Sequence, residues 1–256
     1  MSRTQSTAIV QIGDLHLGAD WVDRDPSRTL ARCLDAIGRL DLLIAAVVIL
    51  GDLAEHATDT EYLDACAQLR GIDAPIHVAM GNRDDRERVR QHFGFSRQGD
   101  AALNYSVDMG PFRVLVLDTS VPGSDAGHLD QRSLRWLHNE LLTDMTAPTL
   151  LAMHHPPLLT GSPAWDRIAL DGESRSSLAS ELADHQQIRA ILGAHLHRPL
   201  LTQFVGRPVL VSPSTYAQFP LSLAARTLEP NDEPPGYLVH VITGDAQLVS
   251  SFQTVP

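Results

Sequence analysis

Short apolar runs recur along the chain, and each one ends at a polar residue or a glycine. They occupy residues 8–12, 46–50, 76–80, 150–153 and 188–192. Their length, their share of β-branched residues and the abrupt polar end are typical of strands buried on both faces. The blocks that follow these runs are Asp14-Leu15-His16, Gly51-Asp52, Gly81-Asn82, His154-His155 and His195-Leu196-His197.

Segments in which apolar residues have helical spacing lie between these runs. Three segments, 26–40, 60–69 and 131–142, have apolar residues on one helical face. Residues 113–117 predict a further strand, which ends in Asp118-Thr119. Alternating strands and helices predict an α/β fold, and we expect one domain over residues 1–256.

The remaining segments predict loops and a terminal hairpin. Residues 156–177 and 212–236 are rich in Pro, Gly and Ser, and we expect them to form the walls of a substrate pocket. Alternating runs at 237–242 and 247–252 predict a hairpin across residues 243–246. The charged run 83–90 predicts a solvated helix of mixed charge.

Composition excludes several classes of protein. The net charge of −11 argues against a surface that follows a nucleic-acid duplex. The longest nearly apolar stretch, 42–50, is too short to span a membrane, and the amino terminus lacks the apolar core of a signal peptide. The two cysteines, Cys33 and Cys66, do not indicate a disulfide framework. We therefore expect a cytoplasmic protein without a membrane partner.

The polar blocks predict a metal centre. In open α/β sheets, ligands bind at the carboxyl ends of the strands, where the blocks would meet. Oxygen and nitrogen ligands without thiolate suit Mn²⁺, Fe, Co²⁺ or Zn²⁺ better than Ca²⁺. Seven ligands exceed the needs of one ion, but they suit two ions about 3.5–4 Å apart that share a carboxylate. The seven candidates are Asp14, His16, Asp52, Asn82, His154, His195 and His197.

Such a pair of ions suits phosphoester hydrolysis, because cations neutralise the charge that develops on the phosphoryl oxygens. The ordered motifs resemble those of the calcineurin-like metallophosphoesterase superfamily. Within it, they resemble the bacterial class III cyclic nucleotide phosphodiesterases and the related glycerophosphodiesterases. The supporting motifs include Gly81-Asn82-Arg83-Asp84-Asp85 and Met153-His154-His155-Pro156-Pro157. The resemblance covers nearly the whole length.

The resemblance implies a four-layer αββα sandwich of two mixed sheets flanked by helices. It implies that Asp14, His16, Asp52 and His197 hold a first metal, commonly iron. It implies that Asp52, Asn82, His154 and His195 hold a second, commonly manganese, with Asp52 bridging. The implied reaction is in-line attack by a metal-bridging hydroxide on a small phosphodiester, with 3',5'-cyclic nucleotides as the leading substrates. Superfamily members often form dimers, so the resemblance leaves a homodimer as one alternative for the oligomeric state.

Two positions depart from the family motif. Arg83 stands where the family has a histidine that contacts phosphate and is often proposed to protonate the leaving group. Arginine stays charged and cannot give up its proton, but it can grip phosphate oxygens bidentately. The protonation would then fall to water, a metal, His56 or His155. At the other position, Ala194 replaces the glycine that usually precedes the last histidine pair.

Structural roles are the alternatives to these functional interpretations. Arg83 could turn outward and pair with Asp85 or Glu87. His155 is more often a residue that orients a neighbouring ligand than a ligand itself, and Asp84 could orient a loop. A rival function is a non-catalytic scaffold for protein binding, but no ligand position has been lost here. A glycerophosphodiesterase or another broad phosphoesterase is the alternative activity.

Overall fold

The computed structural model describes residues 7–95, 101–109, 112–243 and 247–255. Within these ranges the strands are β1 (Thr7–Ile12), β2 (Leu43–Leu50), β3 (Ile76–Ala79), β4 (Tyr105–Met109), β5 (Phe112–Leu117), β6 (Thr149–Met153), β7 (Ile188–Gly193), β8 (Leu200–Phe204), β9 (Arg207–Val211), β10 (Gly236–Ile242) and β11 (Leu248–Thr254). The helices are α1 (Pro26–Gly38), α2 (Asp59–Leu69), α3 (Arg86–Phe93), α4 (Gln131–Thr143), α5 (Pro163–Asp166) and α6 (Gly172–Leu182).

The strands form two mixed sheets. The first has the order β11-β10-β1-β2-β3, and the second has the order β4-β5-β6-β7-β9-β8. In the first sheet β1, β2 and β3 run parallel, whereas β10 and β11 are antiparallel additions at one edge. In the second sheet β5, β6, β7 and β9 run parallel, and antiparallel strands flank them on both sides. Each of the five polar blocks follows one of these parallel strands, namely β1, β2, β3, β6 and β7.

The two sheets pack face to face, with helices outside. Val48 of β2 and Leu192 of β7 belong to one buried cluster between the sheets. The other face of the first sheet packs with Leu30 of α1 and Val89 of α3. The other face of the second sheet packs with Leu137 of α4 and residues of α6. The expected four-layer αββα sandwich is confirmed.

Capping residues explain where the crossover helices begin. The Asp25 side chain accepts hydrogen bonds from the first turn of α1, and Pro26 occupies the first helical position, where its missing N–H costs nothing. Thr58 and Glu61 form a capping box at the start of α2. The helices predicted at 26–40, 60–69 and 131–142 are confirmed to within two residues at each end.

Two predictions need correction, and one element was missed. The segment 156–177, predicted as a loop, contains α5 and the start of α6, because Asp171 caps α6 and the burial of Trp165 and Leu178 stabilises the two helices. The hairpin of β8 and β9 was not predicted. The helix expected at 83–90 begins only at Arg86, and it is not wholly solvated, because Arg86 binds buried Asp118.

The terminal hairpin is confirmed as the antiparallel pair β10 and β11. Residues 244–246 of its predicted turn, and the first six residues of the chain, lie outside the described ranges. Among the described helices, none combines the length and the apolar character needed to cross a bilayer.

Candidate metal centre

The seven predicted metal ligands lie directly beyond the carboxyl ends of five parallel strands. Asp14 and His16 follow β1, Asp52 follows β2, Asn82 follows β3, His154 follows β6, and His195 and His197 follow β7. Ligand atoms of Asp14, His16 and His197 lie within 4.8 Å of one another, and so do those of Asp14, Asp52 and His154. The structure therefore brings all seven together, with Asn82 and His195 joined through contacts to His154.

Five of these residues adopt the left-handed backbone conformation. Their φ angles are 53° for Asp14, 46° for His16, 50° for Asp52, 69° for His195 and 47° for His197. Residues with a Cβ atom rarely occupy this region, and such strain gathers at functional sites. The strand ends turn sharply here, which directs successive polar side chains toward one centre.

Two glycines allow the loops after β2 and β3 to touch. A Cβ atom at Gly51 would lie 2.4 Å from the Gly81 nitrogen, and one at Gly81 would lie 2.0 Å from the Asp52 nitrogen. Gly51 also has a φ of 82°, a conformation that favours glycine. This close approach places Asn82 beside Asp52.

One half of the centre is built around two facing imidazoles. The Nε2 atoms of His16 and His197 lie 3.0 Å apart. His16 Nδ1 donates to Glu55 Oε2 at 2.6 Å, and His197 Nδ1 donates to the Ala217 carbonyl at 2.8 Å. In the neutral rings the facing Nε2 atoms therefore carry lone pairs. Asp52 Oδ2 lies 3.5 Å from His16 Nε2.

The other half repeats this arrangement around His154. Its Nδ1 donates to the Leu50 carbonyl at 2.6 Å, so its Nε2 lone pair faces Asn82 Oδ1 at 2.9 Å. His195 Nε2 donates to the Ile168 carbonyl, and its free Nδ1 lies 3.2 Å from His154 Nε2. Asp52 Oδ2 is 3.6 Å from the same Nε2. Four acceptor atoms, one each from His154, Asn82, His195 and Asp52, thus converge without a proton between them.

These facing acceptors fit cations. Lone pairs directed at one another repel, and a metal ion at each cluster turns the repulsion into ligation. Burial lowers the pKa of His197 to about 3, and it also lowers the pKa of His154 and of His195, so these rings are neutral and ready to ligate. The oxygen and nitrogen donor set is therefore suited to a dinuclear metal site, with Asp52 within reach of both halves.

The two aspartates respond differently to burial. Burial raises the pKa of Asp14 well above its usual range, and the nearby Asp52 charge adds to this effect. For Asp52, burial acts in the same direction, but His154 and His16 outweigh it and lower the pKa. A cation next to Asp14 would restore its ionised form.

His155 lies beside the centre with both ring nitrogens occupied. Its Nε2 donates to the Asp125 carbonyl at 3.0 Å, so its Nδ1 accepts from the Thr119 hydroxyl at 2.8 Å. Burial lowers its pKa to about 3. The ring packs against His195 with centroids 4.4 Å apart. This geometry leaves His155 without a free nitrogen for a metal, although it belongs to the same buried cluster.

Arg83 lies at the mouth of the centre, with 44% of its side chain exposed. Its backbone N–H donates to Asp52 Oδ1 at 2.8 Å. Its Nε is 4.0 Å from Glu55 Oε1, and its Nη2 is 3.9 Å from Asp125 Oδ1. The ion pairs it makes are therefore with Glu55 and Asp125, and not with the Asp85 or Glu87 partners considered from the sequence.

Asp84 fastens the loops that carry Asp52 and Asn82. One of its oxygens accepts from the Leu53 N–H at 3.0 Å, and the other accepts from the Gly81 N–H at 2.9 Å. Burial, with the Asp52 charge, raises its pKa to about 7. The expectation that Asp84 orients a loop agrees with these contacts.

Sequence reasoning missed the role of Glu55. Glu55 accepts from His16 Nδ1 and from Trp21 Nε1, the latter at 3.4 Å, and also faces Arg83. Burial opposes ionisation of Glu55, but the hydrogen bond from His16 and the nearby charges lower its pKa. Its position just beyond the carboxyl end of β2 indicates that it lies near the centre, but nothing in the sequence identifies His16 as its partner.

Three aromatic rings, Trp21, Trp165 and Phe219, form what we name the aromatic wall. Trp21 lies 5.6 Å from the His16 ring and 6.0 Å from the His197 ring, measured between centroids. Phe219 lies 5.1 Å from His197, and Trp165 lies 5.8 Å from His195. Trp165 and Phe219 come from segments 156–177 and 212–236, so both segments reach the metal centre; that they form the walls of a substrate pocket stays a prediction.

Known proteins match this chain in sequence and in fold. The profile of the family described as calcineurin-like phosphoesterase matches residues 7–199. A probable cyclic nucleotide phosphodiesterase of Rhodococcus erythropolis is 35% identical over 221 residues, which cover 81% of this chain and 70% of that protein. A cAMP/cGMP dual specificity phosphodiesterase of Mycobacterium tuberculosis is 33% identical over 247 residues, or 91% and 75% of the two chains.

Among solved structures, purple acid phosphatase PPD1 of yellow lupin superimposes with a TM-score of 0.71 at 13% identity. The match covers 99% of this chain and 52% of the plant enzyme, so this chain spans about half of that enzyme's length. At this identity the likeness concerns the fold alone. The matched profile, the two bacterial relatives and the αββα architecture agree, and this chain belongs to the calcineurin-like phosphoesterase family.

Proposed function

We propose that this protein is a dinuclear-metal phosphodiesterase whose main substrates are 3',5'-cyclic nucleotides. The observation that carries the proposal is the pair of acceptor clusters, in which imidazole lone pairs face one another with Asp52 between them. The activity named for the two bacterial relatives supports the choice of substrate.

In this proposal the ligands divide by their contacts. Asp14, His16, Asp52 and His197 hold one ion, and Asp52, Asn82, His154 and His195 hold the other, so Asp52 is shared. Iron in the first place and manganese in the second agree with the mixed oxygen and nitrogen donors, and zinc and cobalt suit the same ligands. When bound, the pair of ions supplies Lewis acidity toward the phosphoryl oxygens and an acidified water as nucleophile.

The chain's own residues orient the reacting groups. The hydrogen bonds from His154 Nδ1 to Leu50 and from His197 Nδ1 to Ala217 fix the ring orientations. Asn82 contributes its Oδ1 from the loop held by Asp84. His155 acts by packing beside His195, and its low pKa makes it a poor proton donor.

Arg83 takes the place of the family histidine as a phosphate clamp. Its guanidinium is partly exposed, stays charged at any working pH, and lies about 4 Å from two carboxylates that can release it to a substrate anion. Since arginine does not donate its proton, leaving-group protonation falls to water. This assigns Arg83 to substrate binding.

The test is hydrolysis of 3',5'-cAMP and cGMP by purified protein with Mn²⁺ or Fe²⁺, with metal content measured on the same samples. We expect two ions per chain, turnover abolished by EDTA and restored by metal, and loss of both turnover and one or both ions in Asp52→Asn. Asp108→Asn, an exposed carboxylate on β4, is the matched control and should behave as wild type. At most one ion per chain, or full turnover by Asp52→Asn, would overturn the proposal.

Three wider expectations belong to the same proposal. Residues 1–256 act as one domain, and the protein works in the cytoplasm, which agrees with the unpaired Cys33 and Cys66 among the described residues. Light scattering of the purified protein tests the third, a homodimer. Parallel assays with glycerophosphodiesters test the alternative activity.

A further inference from the structure

Two rings of the aromatic wall keep exposed surface while they lie beside the metal centre. Trp21 and Phe219 are partly exposed, whereas Trp165 is only 4% exposed. The centroids of Trp21 and Phe219 are 5.5 Å apart, and their planes are inclined by 34°. Both rings contact His197, so a substrate held at the centre would have them as neighbours.

Hydrogen bonds fix the ring of Trp21 and the backbone of Phe219. Trp21 Nε1 donates to Glu55 Oε2. The Phe219 carbonyl accepts from Arg198 Nη1 at 3.0 Å, and its N–H donates to the His197 carbonyl at 3.4 Å. Arg198 in turn binds Glu233. A surface fixed in advance loses less conformational freedom on binding.

We propose that Trp21 and Phe219 form a stacking site for the planar heteroaromatic base of the diester. This inference rests on the proposed function and specifies which part of the substrate the wall recognises. Aromatic side chains stack on any nucleobase through its π-face, whereas a glycerol group has no such face. The stacking site therefore favours nucleotide diesters over glycerophosphodiesters, and it tolerates both adenine and guanine.

The contribution of the base to binding can be measured without turnover by using the reaction product. Calorimetry on Mn²⁺-loaded protein compares 5'-AMP with ribose 5-phosphate, which carries the same phosphate and sugar without the base. We expect wild type to bind 5'-AMP tighter by about 5- to 150-fold, the range that base stacking provides. Trp21→Leu should lose most of this preference and bind ribose 5-phosphate as wild type does.

Conservative and distant variants separate stacking from structural effects. Trp21→Phe keeps an aromatic face but loses the hydrogen bond to Glu55, so it should retain the preference for 5'-AMP. Trp136→Leu, the same change on helix α4, is the matched control and should bind both ligands as wild type does. An equal loss of affinity for 5'-AMP and for ribose 5-phosphate in Trp21→Leu would show that Trp21 supports the metals through Glu55. That result would overturn the stacking site. An unchanged preference would also overturn it.

Turnover distinguishes failure of this inference from failure of the proposed function. Trp21→Leu should raise KM for 3',5'-cAMP and leave KM for glycerophosphoethanolamine unchanged. Should wild type hydrolyse only the glycerophosphodiester, the proposed substrate is wrong. Should wild type hydrolyse 3',5'-cAMP while both KM values stay unchanged in Trp21→Leu, the stacking site is wrong and the proposed function stands.

Discussion

The methyl group of Ala194 packs against the bare backbone of Gly13, because a Cβ atom at residue 13 would lie 2.7 Å from Ala194 Cβ. Gly13 directly precedes Asp14, and Ala194 directly precedes His195. The His195 N–H donates to both Asp14 oxygens, at 3.1 Å and 3.2 Å. The alanine that departs from the family motif is thus matched by a glycine on the facing strand end.

This contact predicts compensation between the two positions. Gly13→Ala should lower the free energy of unfolding by about 1–3 kcal/mol through overpacking and weaken metal binding. Ala194→Gly should lower the free energy of unfolding by less, about 1 kcal/mol. The double variant should recover more stability than the sum of the single changes predicts, as chemical denaturation would measure. Strict additivity would refute the packing account.

Glu55 is expected to tune metal affinity through His16. Since a carboxylate that accepts from a ligating imidazole orients the ring and raises its basicity, Glu55→Gln should weaken metal binding by about 10- to 100-fold. Metal titration of the apoprotein measures this effect. Glu87→Gln, an exposed carboxylate on α3, is the control and should leave the affinity unchanged. Equal affinities in both variants would exclude this role.

Arg83 is expected to make the rate depend on the leaving group. Because arginine cannot protonate a departing oxygen, the wild-type rate should fall steeply as the leaving-group pKa rises across a series of aryl and alkyl diesters. Arg83→His should flatten this dependence and raise KM about 10-fold through loss of the charged grip. Arg132→His on α4 serves as the control. Equal slopes for wild type and Arg83→His would reject the assignment.

His240 is expected to make stability depend on pH. Its Nε2 donates to Gln11 Oε1 at 2.8 Å, and its Nδ1 accepts from Ser250 Oγ at 2.8 Å. Burial lowers the pKa of His240 to about 4, below its ordinary value of 6.5. Between these two values the unfolded chain binds the extra proton, so this contribution is complete above pH 6.5 and is lost as pH falls toward 4.

His240→Gln should therefore lose less stability on acidification. A glutamine can donate to Gln11 and accept from Ser250 without titrating. Between pH 7 and pH 5 we expect wild type to lose about 2 kcal/mol more than the variant, from linkage at this one group. Denaturant titrations of both proteins in EDTA measure the difference. Parallel stability curves would contradict the assignment.

Much of the fold could be read from local pattern. The run 46–50 is apolar and ends at Gly51-Asp52, which predicts a buried strand with a polar end. Burial on both faces excludes charged residues until the strand leaves the core. The seven candidate ligands followed from this rule, since parallel strands end at one edge. Segments α5 and α6 escaped prediction because Pro, Gly and Ser are frequent in 156–177, whereas the burial of Trp165 and Leu178 that stabilises both helices is a tertiary contact.

Contacts between residues that are distant in the sequence could not be predicted from the local pattern of apolar and polar residues. No spacing indicates that Glu55 binds His16 across 39 positions, or that the Phe219 ring lies against His197. The residue types and their order along the chain specified the strands, the ligand set and its chemistry, because those depend on neighbours a few positions away. Which nitrogen of each imidazole faces the centre, which carboxylates surround Arg83 and which rings stand beside the site depended on how two sheets close over each other, since those partners meet only after the sandwich has packed.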